Sequence, residues 1–69
     1  MSVYKMIEMV GTSSESWEKA AEAALEVTSK SLRDIRIAEV EKFDLQIEDG
    51  KVKAYRVRLK VSFKYHSGD

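Results

Sequence analysis

Five carboxylates in the middle of the chain are the side chains best suited to chemistry. Asp44, Glu48 and Asp49 gather around an Asp-Gly pair, and Glu39 and Glu41 stand on the segment before it. Clustered carboxylate oxygens suit a hard divalent cation such as calcium, although none of these residues has the spacing of a calcium-binding loop. The competing arrangement pairs Glu39 with Lys60 and Glu41 with Arg58 and leaves the loop acids solvated. Catalytic chemistry has less to work with. The only histidine is His66 in the tail, cysteine is absent, and no serine sits in a Gly-x-Ser-x-Gly elbow, so no pairing of nucleophile and base is visible and the chain reads as a non-enzyme. Gly11 and Gly50 read as turn glycines, and neither belongs to a phosphate-cradling loop.

The elements that would position these residues follow from periodicity. From Tyr55 the odd positions Tyr55, Val57, Leu59, Val61, Phe63 and Tyr65 are apolar and the even positions through Lys64 are polar, the period of two of a strand with one buried face. Residues 35–47 are also strand-like, and Asp49-Gly50 between the two segments is the signature of a two-residue hairpin turn. That turn predicts a register with Glu48 facing Lys51, Glu41 facing Arg58 and Glu39 facing Lys60, and with Ala38–Val61 and Val40–Leu59 on the buried face. Residues 3–10 form a first strand closed by Gly11. Thr12-Ser13-Ser14 then offers helix-capping hydroxyls, with Glu15 and Glu18 in the first turn. Trp17, Ala20, Ala21, Ala24 and Thr28, widened by Leu25, make the apolar stripe of that helix, with Trp17 as its one large core anchor.

The predicted order is strand, helix, long strand, long strand: an α+β fold with a three-stranded antiparallel sheet (β-α-β-β) and one helix on one face. On the sheet face away from the helix the hairpin would carry Ile35, Ile37, Phe43, Leu45, Ile47, Val52 and Ala54, an apolar group that implies burial against sister subunits. Size points the same way. A domain of 69 residues without cysteine has neither disulfides nor thiolate metal sites, so self-association is the remaining way to complete a thin core. Residues 1–65 read as a single domain and 66–69 as a disordered tail.

Charge excludes further classes. Lys plus Arg and Asp plus Glu each number 12, so no net field favours nucleic acid. The basic stripe Arg56, Arg58, Lys60 and Lys64 is half neutralised across the strand, and Tyr65 is expected on the buried face, not on a stacking platform. Neither a membrane span nor a signal peptide is expected, which implies a cytoplasmic protein.

The segments VYKMIEMVGTSSESWEKAAEAAL, SLRDIRIAEV and YRVRLKVSFK resemble, in order and spacing, those of the dodecins over nearly the whole chain. The GTS-x-E-S-W helix start after a V-Y-K strand is the most specific part. The resemblance implies the same β-α-β-β fold assembled as a hollow homododecamer, and a pocket between subunits on the non-helix face whose residues here are Arg36, Ile37, Glu39, Gln46 and Arg56. In flavin-binding dodecins a tryptophan stacks on the isoalloxazine ring and a glutamine bonds its polar edge; Ile37 and Arg56 stand at those positions. Isoleucine has no π-face, and arginine only donates. DIRIAEV with YRVRLKVSFK is more similar to the tryptophan-lacking calcium dodecins. The likeness therefore implies a homo-oligomeric shell that binds or stores a small ligand, with calcium favoured, Asp44, Glu48 and Asp49 as its candidate ligands, and riboflavin or FMN binding or a vestigial pocket as the alternatives.

Overall fold

The computed structural model describes residues 1–65, so the tail, expected to be disordered, lies outside the described residues. Four elements follow one another: β1 (Tyr4–Ser13), α1 (Trp17–Ser31), β2 (Ile35–Glu48) and β3 (Lys51–Lys64). The strands form one antiparallel sheet in the order β1-β3-β2, so the most regularly alternating strand occupies the centre. Its odd positions Val57, Leu59 and Val61 are buried against Ala20 and Ala24 of α1, as the period of two requires. Tyr65 departs from that pattern. It lies past the end of β3, 46% exposed, with the Lys5 ammonium 4.9 Å above its ring. Among the described residues no helix is long and apolar enough to cross a membrane.

The helix starts later than the hydroxyl run suggests. β1 stays paired with β3 through Thr12 and Ser13, which holds those residues in extended backbone, and Ser13 Oγ instead accepts the Glu15 amide at 2.9 Å. Ser16 is the N-cap, its hydroxyl accepting from the Lys19 amide at 3.1 Å, so Glu15 precedes the helix and Glu18 alone brings charge to the first turn. Ser16→Ala should cost about 1 kcal/mol, seen as a lower denaturation midpoint with an unchanged slope. Gly11 is not a turn residue either. It sits inside β1, where α1 comes so close that a β-carbon at position 11 would lie 2.0 Å from the Ala20 carbonyl oxygen. The alanines of the helix stripe permit this approach.

The hairpin turn forms as expected, with Asp49 and Gly50 both at positive φ (53° and 74°) and Glu48 opposite Lys51. Glu39–Lys60, Ala38–Val61 and Val40–Leu59 also oppose each other as expected. Between these stretches the register departs from a straight ladder. Lys42, not Glu41, stands opposite Arg58; Glu41 is the extra residue of a bulge and reaches Lys60 at 3.4 Å. A second irregularity between Gln46 and Ile47 restores the original register near the turn.

The bulge changes which side chains share a face. Phe43 lies opposite Val57 and Leu45 opposite Tyr55, so both join the helix side of the sheet, contrary to the expected placement. Ile35, beyond another irregularity at the start of β2, packs against the core. Ile37 stays on the far face, where Met6 and Val10 of β1 accompany it. Because α1 lies over β1 and β3, the helix side of β2 is left open, and Val40, Phe43 and Leu45 are exposed there. Uncovered apolar surface therefore exists on both faces of the sheet, not on one.

Candidate ligand-binding face

Cross-strand pairing defines the far face row by row. From the root of the hairpin toward its tip the rows are Met6–Ser62–Ile37, Glu8–Lys60–Glu39, Val10–Arg58–Lys42 and Thr12–Arg56–Asp44. Toward the tip, Gln46 faces Ala54. The charges separate along this surface. Glu8 and Glu39 flank Lys60, which is also held by Glu41, whereas Lys42 and Arg58 oppose each other without a salt-bridge partner among the described residues.

Arg56 is the best-defined polar group of the face. Its Nε donates to Asp44 Oδ1 at 2.9 Å, directly across the strand pair. Both side chains are roughly half exposed, so the pair adds little to stability, about 0–1 kcal/mol. Its effect is chemical: it engages the guanidinium Nε–H and one carboxylate oxygen at once. The peptide carrying Asp44 is fixed from the opposite side of the sheet. Trp17 Nε1 donates to the Asp44 carbonyl at 3.2 Å, and the indole meets Phe43 and Tyr55 edge-on at 5.4 and 5.3 Å. Trp17 thus sits at the rim of the core and floors a groove of about 400 Å³ with Ala21, Val40, Phe43 and Val57. Helical periodicity placed Trp17 on the inner face of α1; its reach to β2 depends on the bulge and left no signal in the spacing.

The residues expected to line a pocket do not converge within one chain. Ile37, 66% exposed, stands opposite Ser62, whereas Arg56 lies about 20 Å away along β3. Glu39 belongs with Ile37 at the root, as does Arg36, whose guanidinium lies 3.8 Å from Asp34. Gln46 belongs with Arg56 nearer the tip. The proposed metal ligands are likewise spread. Asp44 is held by Arg56, Glu48 accepts from Lys53 at 2.6 Å, and Asp49 occupies the turn. Among the described residues of one chain, no three acidic, histidine or cysteine side chains are grouped to hold a metal ion.

Three comparisons with known proteins bear on this face. The sequence model of the dodecin family matches residues 3–66. The calcium dodecin of Mycobacterium tuberculosis is 45% identical over 64 residues, covering 93% of this chain and 90% of that protein. A dodecin of Thermus thermophilus is 44% identical over 62 residues, 90% of each chain. The crystal structure of the M. tuberculosis protein, described as a calcium-chelating antigen with a novel calcium-binding site, superposes with a TM-score of 0.85 over 97% of this chain and 96% of that one at 43% identity.

Proposed function

Since the chain belongs to the dodecin family, we propose that it assembles as a hollow homododecamer that catalyses no reaction and binds or stores a small ligand, with calcium favoured over flavin. One observation carries the choice of ligand: the far face offers Ile37 and an Arg56–Asp44 ion pair at the positions where flavin binding calls for a stacking ring and an amide. Isoleucine supplies no π-face, and the Arg56 Nε–H is already directed at a carboxylate.

Two features support assembly, one through the pocket and one independent of any ligand. Ile37 and Arg56 are separated by about 20 Å within a chain, so a pocket containing both takes Ile37 from one copy and Arg56 from another. Apolar side chains stand open on both faces, including Ile37, Phe43 and Ile47, and lie where further copies would cover them.

Calcium takes roughly six to eight oxygen ligands, more than one chain groups together. Carboxylates contributed by several copies would make up that number. Asp49 and Glu39 have no salt-bridge partner among the described residues and are the most available; Asp44 and Glu48 would exchange Arg56 and Lys53 for the cation. The donor set is all oxygen, which suits a hard cation. When bound, the ion would neutralise carboxylates that symmetry brings together. The likeness to a calcium dodecin supports the same reading.

Calorimetric titration of the intact assembly tests it. Saturable binding at roughly millimolar calcium or below is expected, with weaker binding in Glu39→Gln and Asp44→Asn. Absence of heat at millimolar calcium would count against the cation, and a yellow preparation with a flavin spectrum would favour the other ligand.

A further inference from the structure

We propose that Trp17 is a positioning residue for the far face of the sheet: by gripping β2 from the helix side it selects the bulged register of the hairpin, and with it Asp44 instead of Phe43 as the neighbour of Arg56. The proposal rests on the function given above only in taking that face as the ligand-binding one.

Two registers compete for the hairpin. A ladder continued straight from the Asp49-Gly50 turn would oppose Glu41 to Arg58, Phe43 to Arg56 and Asp44 to Tyr55. That arrangement puts opposite charges across the strands and has no bulge. The observed one replaces the Glu41–Arg58 pair with a Glu41–Lys60 contact of 3.4 Å and sets Lys42 against Arg58, two like charges whose direct opposition is unfavourable. The bulged register also gains the 2.9 Å Arg56–Asp44 pair, but exposed charge pairs on either ladder contribute little, so the far face does not decide between the two registers.

The helix side supplies what the far face does not. In the bulged register Phe43 turns toward α1 and meets the edge of Trp17, which also packs against Tyr55, and the indole N–H finds the Asp44 carbonyl. Exposed charge pairs contribute little, whereas edge-on aromatic contacts and the indole hydrogen bond contribute more, even with Phe43 still 59% exposed. A slip of one residue exchanges the faces of every side chain in the segment. In the straight register Asp44 would move to the helix side, the Arg56–Asp44 pair would be lost, and Phe43 would lie beside Arg56. Trp17 therefore decides whether this part of the face is ionic or aromatic, without touching a ligand there.

The cysteine-free chain allows the register to be trapped. Lys42→Cys with Arg58→Cys should close an intrachain disulfide under mild oxidation far more completely than Glu41→Cys with Arg58→Cys, read by mass spectrometry of the full-length protein. Adding Trp17→Leu should lower the ratio of the two yields by at least about tenfold, and a folded leucine variant that keeps the original ratio would overturn the proposal. Trp17→Phe retains a ring and removes the N–H donor, so it should lower the ratio about threefold to tenfold, the equivalent of one hydrogen bond. If the leucine variant does not fold, an unchanged ratio in the phenylalanine variant overturns the proposal by itself. Calcium calorimetry on the unmodified protein is decided separately: failure to bind calcium sinks the cation reading and leaves the trapping ratio to judge Trp17.

Discussion

Gly11→Ala is expected to lose more than about 3 kcal/mol of stability, at the upper end of overpacking effects, and to abolish the folded assembly at ambient temperature. The added β-carbon would stand 2.0 Å from the Ala20 carbonyl oxygen, 2.9 Å from its carbon and 3.0 Å from the Ala24 β-carbon. Two of those atoms are backbone, so no rotamer change relieves the contact. The helix must lift off β1, and lifting it uncovers Val57, Leu59 and Val61 together. A small domain has only about 5–15 kcal/mol of total stability to lose. Circular dichroism during denaturation, with light scattering for the assembly, measures the result. Gly50→Ala is the control: nothing lies within 4 Å of its β-carbon, and only the positive φ of 74° is strained, so it should cost about 1 kcal/mol. A Gly11→Ala protein as stable as that control would contradict the close approach of helix and strand.

Ile37→Trp combined with Arg56→Gln is expected to bring riboflavin binding to the protein. Each tryptophan ring stacked on the ligand adds about 0.5–1.5 kcal/mol beyond area burial. Two rings from neighbouring copies would then strengthen binding by roughly fivefold to a hundredfold, at 1.4 kcal/mol per factor of ten. Glutamine both donates and accepts, which arginine cannot do, and its introduction removes the 2.9 Å contact with Asp44. Ile37→Trp alone should give a smaller gain, because Arg56 still presents only donors. Quenching of riboflavin fluorescence on titration is the measurement. No gain in the double variant would mean that the pocket differs in shape as well as in these two side chains.

The two substitutions draw on information of different kinds. Ile37 and Arg56 were identified from residue type and family likeness, and the register places both on the far face because Ser62 and Arg56 are even positions of β3. Their separation along the strand was implicit in the register the turn predicts, because Glu39 opposite Lys60 sets Ile37 beside Ser62 and well away from Arg56; what the register could not show is that Asp44 lies beside Arg56. Gly11 shows the reverse. Its place at the end of an apolar run suggested a turn, while its actual role depends on how closely α1 crosses β1, a distance to which the residues around it give no clue. The candidate metal ligands fall between these cases: Asp49 occupies the turn where it was expected, but Asp44 is tied to Arg56 through a register that includes the bulge.

Local repetition determined the strand-helix-strand-strand order, the buried face of β3, the alanine stripe of α1 and the Asp-Gly turn, because periods of two and 3.6 and the φ preference of a turn act over a few neighbouring residues. The tertiary structure alone decided that Glu41 is extruded, that Phe43 faces the helix and Asp44 the far face, and that α1 leaves β2 open. Those outcomes compare contacts on two faces of the sheet at once. Side chains distant in sequence, Trp17 above all, settle them by packing and hydrogen bonding across the strands.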